Sequence, residues 1–208
     1  MNSVIIFDFD GTIANSFDLI IKSFNQIAPS FNLPVITDSE KKIIRNLSAG
    51  ELLKKYKVTP LKLLRLIKKI KLHQAQNFKS VSPVSGILKL FEDLKNNNFK
   101  LGIVTSNSKK NVLLFLGQWN IKGIDFIYSE KNLFGKGKVL KNLIRKQNLK
   151  KDSVIYVGDE VRDIEAAHMA KIKVIAVDWG FNSKERLIKA KPDFLISEPK
   201  EILRINNI

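Results

Sequence analysis

Cysteine is absent from this chain of 208 residues, and histidine occurs only twice. Without thiols the chain can form neither disulfides nor thiolate metal sites, and it has no cysteine nucleophile. Two imidazoles are too few for a histidine-rich metal centre, so any metal ion must be bound by oxygen ligands. Glycine (10) and proline (6) are also scarce, which argues against collagen-like or low-complexity chains.

The sequence also lacks a basic leader and a long apolar segment near its start, where an apolar run ends at Asp8. We therefore expect neither a secretion signal nor a membrane span, and we expect a cytoplasmic protein. The length fits one main domain with at most a small insertion. With 44% hydrophobic residues the chain has enough apolar material for a sizeable core.

Acidic residues are in the minority, 20 against 36 basic ones, which gives a formal net charge of +16. Most of the basic residues are lysines spread over the whole chain, and we interpret them as a solvated surface. Nucleic acid is therefore not the expected partner. The positive field would attract small anionic substrates, phosphorylated ones included.

Short, continuously apolar runs recur along the chain, as expected of strands that are buried on both faces. They occupy residues 4–7, 101–104, 124–128, 154–157, 174–177 and 194–196. Amphipathic helical patterns, among them residues 86–96 and 139–144, separate most of them. This alternation predicts an α/β fold with a doubly wound parallel sheet of the Rossmann-like type.

Residues 15–82 interrupt this alternation, because they contain helical patterns only. Helices are predicted at 17–28, 39–47, 49–56 and 60–78, with Asp38 or Ser39 as the N-cap of the second. We therefore predict an α/β core domain formed by residues 1–14 and 83–208 and a small all-helical domain at 15–82, inserted after the first strand.

Polar residues stand where the predicted strands end, at the sheet edge where such folds carry their chemistry. Asp8 and Asp10 follow the first strand, Thr105 follows the second, and the acidic segment 158–163 follows the run at 154–157. Two carboxylates this close repel each other unless a cation lies between them, and Mg²⁺ prefers such oxygen ligands. With Lys136, these residues predict a phosphate group beside a metal ion.

These motifs together resemble the haloacid dehalogenase superfamily, in its phosphoglycolate phosphatase-like and β-phosphoglucomutase-like branch. The segment from Asp8 to Thr12 resembles the nucleophile motif of that family, Thr105 with Ser106 its hydroxyl motif, Lys136 its lysine, and residues 158–163 its acidic motif. The helical insertion is similar in position to the helical cap of the family. The resemblance covers nearly the whole chain.

The resemblance implies a Mg²⁺-dependent phosphatase that hydrolyses a small anionic phosphate monoester, such as phosphoglycolate, through an aspartyl-phosphate. In this scheme Asp8 is the nucleophile and Asp10 the general acid and base. The implied phosphate-binding residues are Thr105, Ser106 and Lys136. The implied metal ligands are Asp8, Asp10 through its carbonyl, and Asp159, supported by Asp163 and Thr12.

Several alternatives stay open at this point. Lys138 could take the place of Lys136, and Glu160 could bind the metal instead of Asp163, although a position in the first turn of a helix explains Glu160 better. A phosphomutase differs only in what attacks the intermediate, and a nucleic-acid-binding protein on this fold is a weaker alternative. The sequence does not distinguish a monomer from a homodimer.

Overall fold

The computed structural model describes residues 3–47, 49–130 and 135–205 of the chain. The polypeptide divides into two compact units. One consists of Met1–Asn15 and Ser82–Ile208, and we call it the core unit. The other, Ser16–Val81, is the helical unit.

The core unit contains a parallel sheet with six strands in the described residues. The strands are β1 (Val4–Phe7), β2 (Lys100–Thr105), β3 (Ile124–Ser129), β4 (Val154–Gly158), β5 (Lys173–Val177) and β6 (Phe194–Ile196). Their order across the sheet is β3-β2-β1-β4-β5-β6, and each neighbouring pair is parallel. The predicted doubly wound α/β fold is therefore confirmed.

Helices cover the sheet on both faces, which is why the strands are apolar at successive positions. These helices are α5 (Ile87–Asn96), α6 (Lys109–Gln118), α7 (Lys136–Lys146), α8 (Val161–Ala170) and α9 (Lys184–Lys189). On one face Ile6 packs in a cluster with residues of α7 and α8. On the other face the ring of Phe7 meets that of Phe91 from α5, with centroids 5.0 Å apart.

Strand β1 lies at the position where the chain reverses its direction of travel across the sheet. From β1 the chain passes outward through β2 to β3, and it later returns to β4 on the other side of β1. The connections on the two sides therefore diverge and leave a crevice beyond the carboxyl end of β1. Asp8 follows β1 directly at this crevice.

The helical unit contains α1 (Phe17–Ile27), α2 (Asp38–Arg45), α3 (Ala49–Lys55) and α4 (Pro60–Asn77). Its small core includes Ile27, Leu33 and Leu66. In the described part of the chain, no helix is both long enough and apolar enough to cross a bilayer.

The N-cap of α2 is Thr37, so the prediction of Asp38 or Ser39 was wrong. The backbone N–H of Glu40 donates to the Thr37 hydroxyl, and the Glu40 carboxylate accepts from the Thr37 backbone at 3.0 Å. This reciprocal capping box needs a Glu or Gln three residues after the cap. Of the three candidates only Thr37 has a glutamate at that spacing.

Candidate active site

The carboxyl ends of three adjacent strands bring the predicted site residues together. Phe7 of β1 pairs with Ile103 of β2 on one side and with Val157 of β4 on the other. Asp8, Thr105 and Asp159 follow these paired positions by one or two residues, so they emerge at the same edge of the sheet. Each of the three is almost fully buried.

Lys136 lies between two carboxylates at this edge. Its Nζ is 2.7 Å from Asp8 Oδ2 and 2.6 Å from Asp163 Oδ1, and its side chain is only 2% exposed. Lys136 begins α7, whereas Lys138 is exposed. The structure therefore places Lys136, not Lys138, against Asp8.

Asp159 is held at both carboxylate oxygens. The Thr12 hydroxyl donates to Oδ1 at 2.7 Å, and the backbone N–H of Phe181 donates to Oδ2 at 2.7 Å. The loops around it come unusually close, because a Cβ added at Gly180 would lie 2.2 Å from Asp159 atoms. A Cβ at Gly11, whose φ is +79°, would lie 2.3 Å from Asp159 Oδ2. Asp159 therefore sits in a cradle that two glycines make possible.

Burial makes the negative charges of this site costly. It raises the pKa of Asp8 to about 7, although Lys136 acts in the opposite direction. It also raises the pKa of Asp159, and the neighbouring carboxylates raise it further. Burial alone would lower the pKa of Lys136, but its two carboxylate partners outweigh this effect and raise that pKa. The site thus has more negative charge than its own cations offset.

Asp10 lies two residues after Asp8 and is half-buried. Its Oδ2 accepts a hydrogen bond of 2.9 Å from the side-chain amide of Asn107. The backbone N–H of Asn107 donates to the Thr105 hydroxyl at 3.0 Å. Asn107 therefore links the segment after β1 to the segment after β2.

A match to a known family model decides to which family the chain belongs. The profile of the family described as haloacid dehalogenase-like hydrolase matches residues 5–177. This chain belongs to the haloacid dehalogenase-like hydrolases. The matched range contains every residue that the sequence predicted for the site.

Relatives of this haloacid dehalogenase-like hydrolase carry different names. A phosphoglycolate phosphatase of Synechococcus elongatus is 29% identical over 201 residues, covering 96% of this chain and 95% of its own. The pyrophosphatase PpaX of Bacillus cereus is 24% identical over 98% of this chain and 95% of its own. A solved haloacid dehalogenase-like hydrolase from Streptococcus pneumoniae superposes with a TM-score of 0.82 at 20% identity, covering 98% of this chain and 97% of its own.

The residues of this haloacid dehalogenase-like hydrolase fit a metal ion that prefers oxygen ligands. Among the described residues, carboxylate oxygens of Asp8, Glu160 and Asp163 lie within 4.8 Å of one another. This group shares only Asp8 with the ligand set that the resemblance implies. Lys136 Nζ lies within 2.7 Å of both Asp8 and Asp163, so a cation from the chain itself already occupies the space between these two carboxylates. The excess of buried carboxylate charge is what a divalent cation would relieve.

Glu160 lies at the start of a helix, one position before the first-turn position that the sequence favoured. It is the N-cap of α8, and its backbone N–H donates to Asp163 Oδ2 at 3.1 Å. Its carboxylate also accepts from Arg162 Nε at 2.6 Å. Asp163, in the first turn, therefore orients both the cap and Lys136.

The remaining predicted residues and two that the sequence missed complete the site. Ser106 is half-buried beside Thr105. Trp179 donates from Nε1 to the Thr12 carbonyl at 3.2 Å. From the sequence we assigned no role to the side chain of Asn107 or to the Phe181 N–H. For Asn107 a signal existed, because it lies two residues after Thr105 on the segment leaving β2.

Proposed function

We propose that this protein is a phosphatase that hydrolyses a small phosphate monoester through an aspartyl-phosphate at Asp8. The observation that carries the proposal is the buried contact of Asp8 with Lys136 at the carboxyl end of the central strand. A carboxylate nucleophile and a cation for the transferred group are thereby held side by side. The names of the phosphatase relatives support the same reaction class.

In the first step an Asp8 carboxylate oxygen attacks phosphorus, and the bond from phosphorus to the ester oxygen breaks. Asp10 donates its proton to the departing oxygen, so the alcohol leaves neutral. In the second step Asp10 takes a proton from water as the water oxygen attacks phosphorus. Orthophosphate leaves, and both aspartates return to their starting states.

Thr105, Ser106 and Lys136 would bind the non-bridging oxygens, where negative charge must be stabilised. The Thr105 hydroxyl already accepts from the Asn107 backbone, which occupies a lone pair of its oxygen. Its hydrogen can therefore turn towards a phosphoryl oxygen. The Lys136 ammonium keeps its charge across the physiological range, since its carboxylate partners raise its pKa.

Mg²⁺ is the cofactor we propose, with Asp8, the Asp10 carbonyl and Asp159 as its protein ligands. Thr12 would orient Asp159, as its hydrogen bond of 2.7 Å already does, and Asp163 would hold Lys136 in place. When bound, the ion would offset the surplus carboxylate charge and that of the incoming phosphate.

Asp10 distinguishes phosphate ester chemistry from dehalogenation, because a departing halide needs no proton whereas a departing alkoxide does. The substrate itself is less closely defined, since the relatives are named for phosphoglycolate and for pyrophosphate. We propose a small anionic phosphate compound. We further propose that residues 15–82 act as a cap that selects it, because the core residues named above are assigned only to the phosphate and the metal.

The test is phosphate release from phosphoglycolate, pyrophosphate, nucleoside monophosphates and sugar phosphates, with Mg²⁺ and with EDTA. We expect Mg²⁺-dependent release from at least one compound and no release by Asp8→Asn, with the variant still folded by circular dichroism. Normal turnover by Asp8→Asn would contradict the proposal. Transfer of phosphate between sugar phosphates without release would identify a phosphomutase instead.

A further inference from the structure

Asn107 is hydrogen-bonded at its backbone N–H and carbonyl and at both ends of its side-chain amide. Its backbone N–H donates to Thr105 Oγ1, and its carbonyl accepts from the Ser129 hydroxyl at the end of β3. Its side-chain Oδ1 accepts from the Ser108 backbone at 2.8 Å and from Asn111 Nδ2 at 2.9 Å. Its Nδ2 donates to Asp10 Oδ2 at 2.9 Å.

These contacts fix the orientation of the amide. The Ser108 N–H can only donate, so the atom that it meets must be the amide oxygen. A flipped amide would turn its NH₂ group against this donor and its oxygen against the Asp10 carboxylate. The orientation that presents a donor to Asp10 is therefore strongly preferred.

The backbone around Asp10 is held separately from its side chain. The N–H groups of Ile13 and Ala14 both donate to the Phe9 carbonyl at 2.9 Å, and the Gly11 N–H donates to the Ala14 carbonyl at 2.8 Å. This tight turn sets where the Asp10 backbone lies. The rotation of its carboxylate is a separate degree of freedom, and the bond from Asn107 acts on it.

We infer that Asn107 is a positioning residue, whose amide holds the Asp10 carboxylate in the orientation that proton transfer to the leaving group requires. The inference rests on the proposed function, in which Asp10 is the general acid. The bond from its backbone to Thr105 gives Asn107 a second effect. It holds the acid and the phosphate-binding hydroxyl in a fixed relation, so that a proton donor faces the ester oxygen of a bound phosphate.

The test compares two substrates that differ in their need for an acid. The first substrate is the alkyl phosphate that is hydrolysed fastest in the panel above; its leaving group is an alkoxide, which needs a proton. The second is acetyl phosphate, whose leaving group is acetate, which is stable as an anion. Because kcat/KM covers the steps from substrate binding to departure of the leaving group, it includes the step in which Asp10 donates and leaves out the later hydrolysis of the intermediate.

Asn107→Asp is the informative variant, because it keeps an acceptor for Ser108 and Asn111, replaces the donor that faces Asp10 with a carboxylate oxygen, and adds one negative charge. We expect its kcat/KM to fall about 100-fold for the alkyl phosphate but less than about 5-fold for acetyl phosphate, the pattern of lost acid catalysis. Asp10→Asn should give the same pattern. Asn111→Ala, which removes one contact that orients the amide, should show it more weakly.

Asn142→Asp is the matched control, since this exposed asparagine of α7 makes the same change of charge away from the site. It should leave both substrates unaffected. Equal losses on both substrates in a folded Asn107→Asp protein would overturn the inference while leaving the phosphatase assignment intact. Wild-type protein that hydrolyses neither compound would instead contradict the proposed function on which the inference rests.

Discussion

At the scale of single residues, the site combines a nucleophile with charges that the fold buries at a cost. Asp8 is 2% exposed and Asp159 fully buried, and burial raises the pKa of both. Such groups are retained for chemistry rather than for stability, as is common at active sites. Replacing the Asp8 carboxylate should therefore abolish turnover, and it should stabilise the metal-free protein at a pH where the carboxylate is charged.

Asp8→Asn should stabilise the protein without metal at alkaline pH. The Asp8 carboxyl has an ordinary pKa of 3.8, and in the fold its pKa rises to about 7. The favourable contribution of its protonated form is therefore complete below pH 3.8 and is lost as the pH rises through about 7. Above that pH the carboxylate is buried at a cost of about 4 kcal/mol, which the variant avoids.

Urea denaturation in EDTA at pH 8 and at pH 4 measures this effect. The free energy of unfolding of Asp8→Asn should exceed that of wild type at pH 8, and the two should converge towards pH 4. A variant that is less stable than wild type at pH 8 would show that the Lys136 contact outweighs the burial of Asp8.

Lys136 and Lys138 provide a second comparison at this scale. Lys136→Ala should lower phosphate release at least about 100-fold, because a buried cation aimed at the transferred group is lost. It should also destabilise the fold by about 3–5 kcal/mol, since Asp8 and Asp163 lose a buried partner. Lys138→Ala changes only an exposed side chain, so its rate should match wild type. The reverse ranking in a phosphate-release assay would refute the assignment of Lys136.

At the scale of elements, strand positions could be predicted well from the sequence. The apolar run at 101–104 corresponds to β2 (Lys100–Thr105), and the run at 174–177 to β5 (Lys173–Val177). A strand covered on both faces needs apolar residues at successive positions, and this leaves a clear pattern. The residues at the strand ends, such as Asp8 and Thr105, could be predicted for the same reason.

Other parts of the site depend on contacts that no local pattern reveals. The Phe181 N–H reaches Asp159 from a loop 22 residues further along the chain. A backbone donor of this kind could come from any residue type. Likewise, the amide orientation of Asn107 depends on Asn111 and Ser108, and the cap of α2 depends on the spacing between Thr37 and Glu40.

The loop after β5 gives a prediction at this scale. Gly180→Ala would place a Cβ within 2.2 Å of Asp159 atoms, so the loop or the carboxylate must shift. We expect Mg²⁺-dependent phosphate release to fall at least about 10-fold, as small misplacements of catalytic groups do. Gly117→Ala in α6 meets nothing within 4 Å and should instead stabilise the protein by about 0.5–1 kcal/mol.

Activity assays and thermal unfolding of the two variants separate these effects. If Gly180→Ala kept full activity, Asp159 would tolerate displacement, and the close approach of Gly11 and Gly180 to Asp159 would have no function. A large loss of activity in Gly117→Ala would show that the core unit is generally sensitive to added methyl groups.

At the scale of the whole molecule, the residues assigned to the reaction are confined to one unit, whereas the basic residues are not. The core unit carries the residues assigned to the reaction, and the net charge of +16 is spread along the entire sequence. In the helical unit Lys69 lies over the Phe31 ring, 5.2 Å from its centroid, and Lys41 pairs with Asp18 and Asp38. Both lysines therefore have partners within the helical unit itself.

The central claim is that Asp8 becomes phosphorylated, and the most direct test is to trap that state. Wild-type protein would be mixed with its best phosphate substrate and Mg²⁺, quenched in acid within the first turnover, and digested for mass spectrometry. The account predicts one phosphoryl group on the peptide that contains Asp8, discharged by hydroxylamine and absent from Asp8→Asn. Turnover without a phosphorylated peptide, or phosphorylation at another residue, would contradict it.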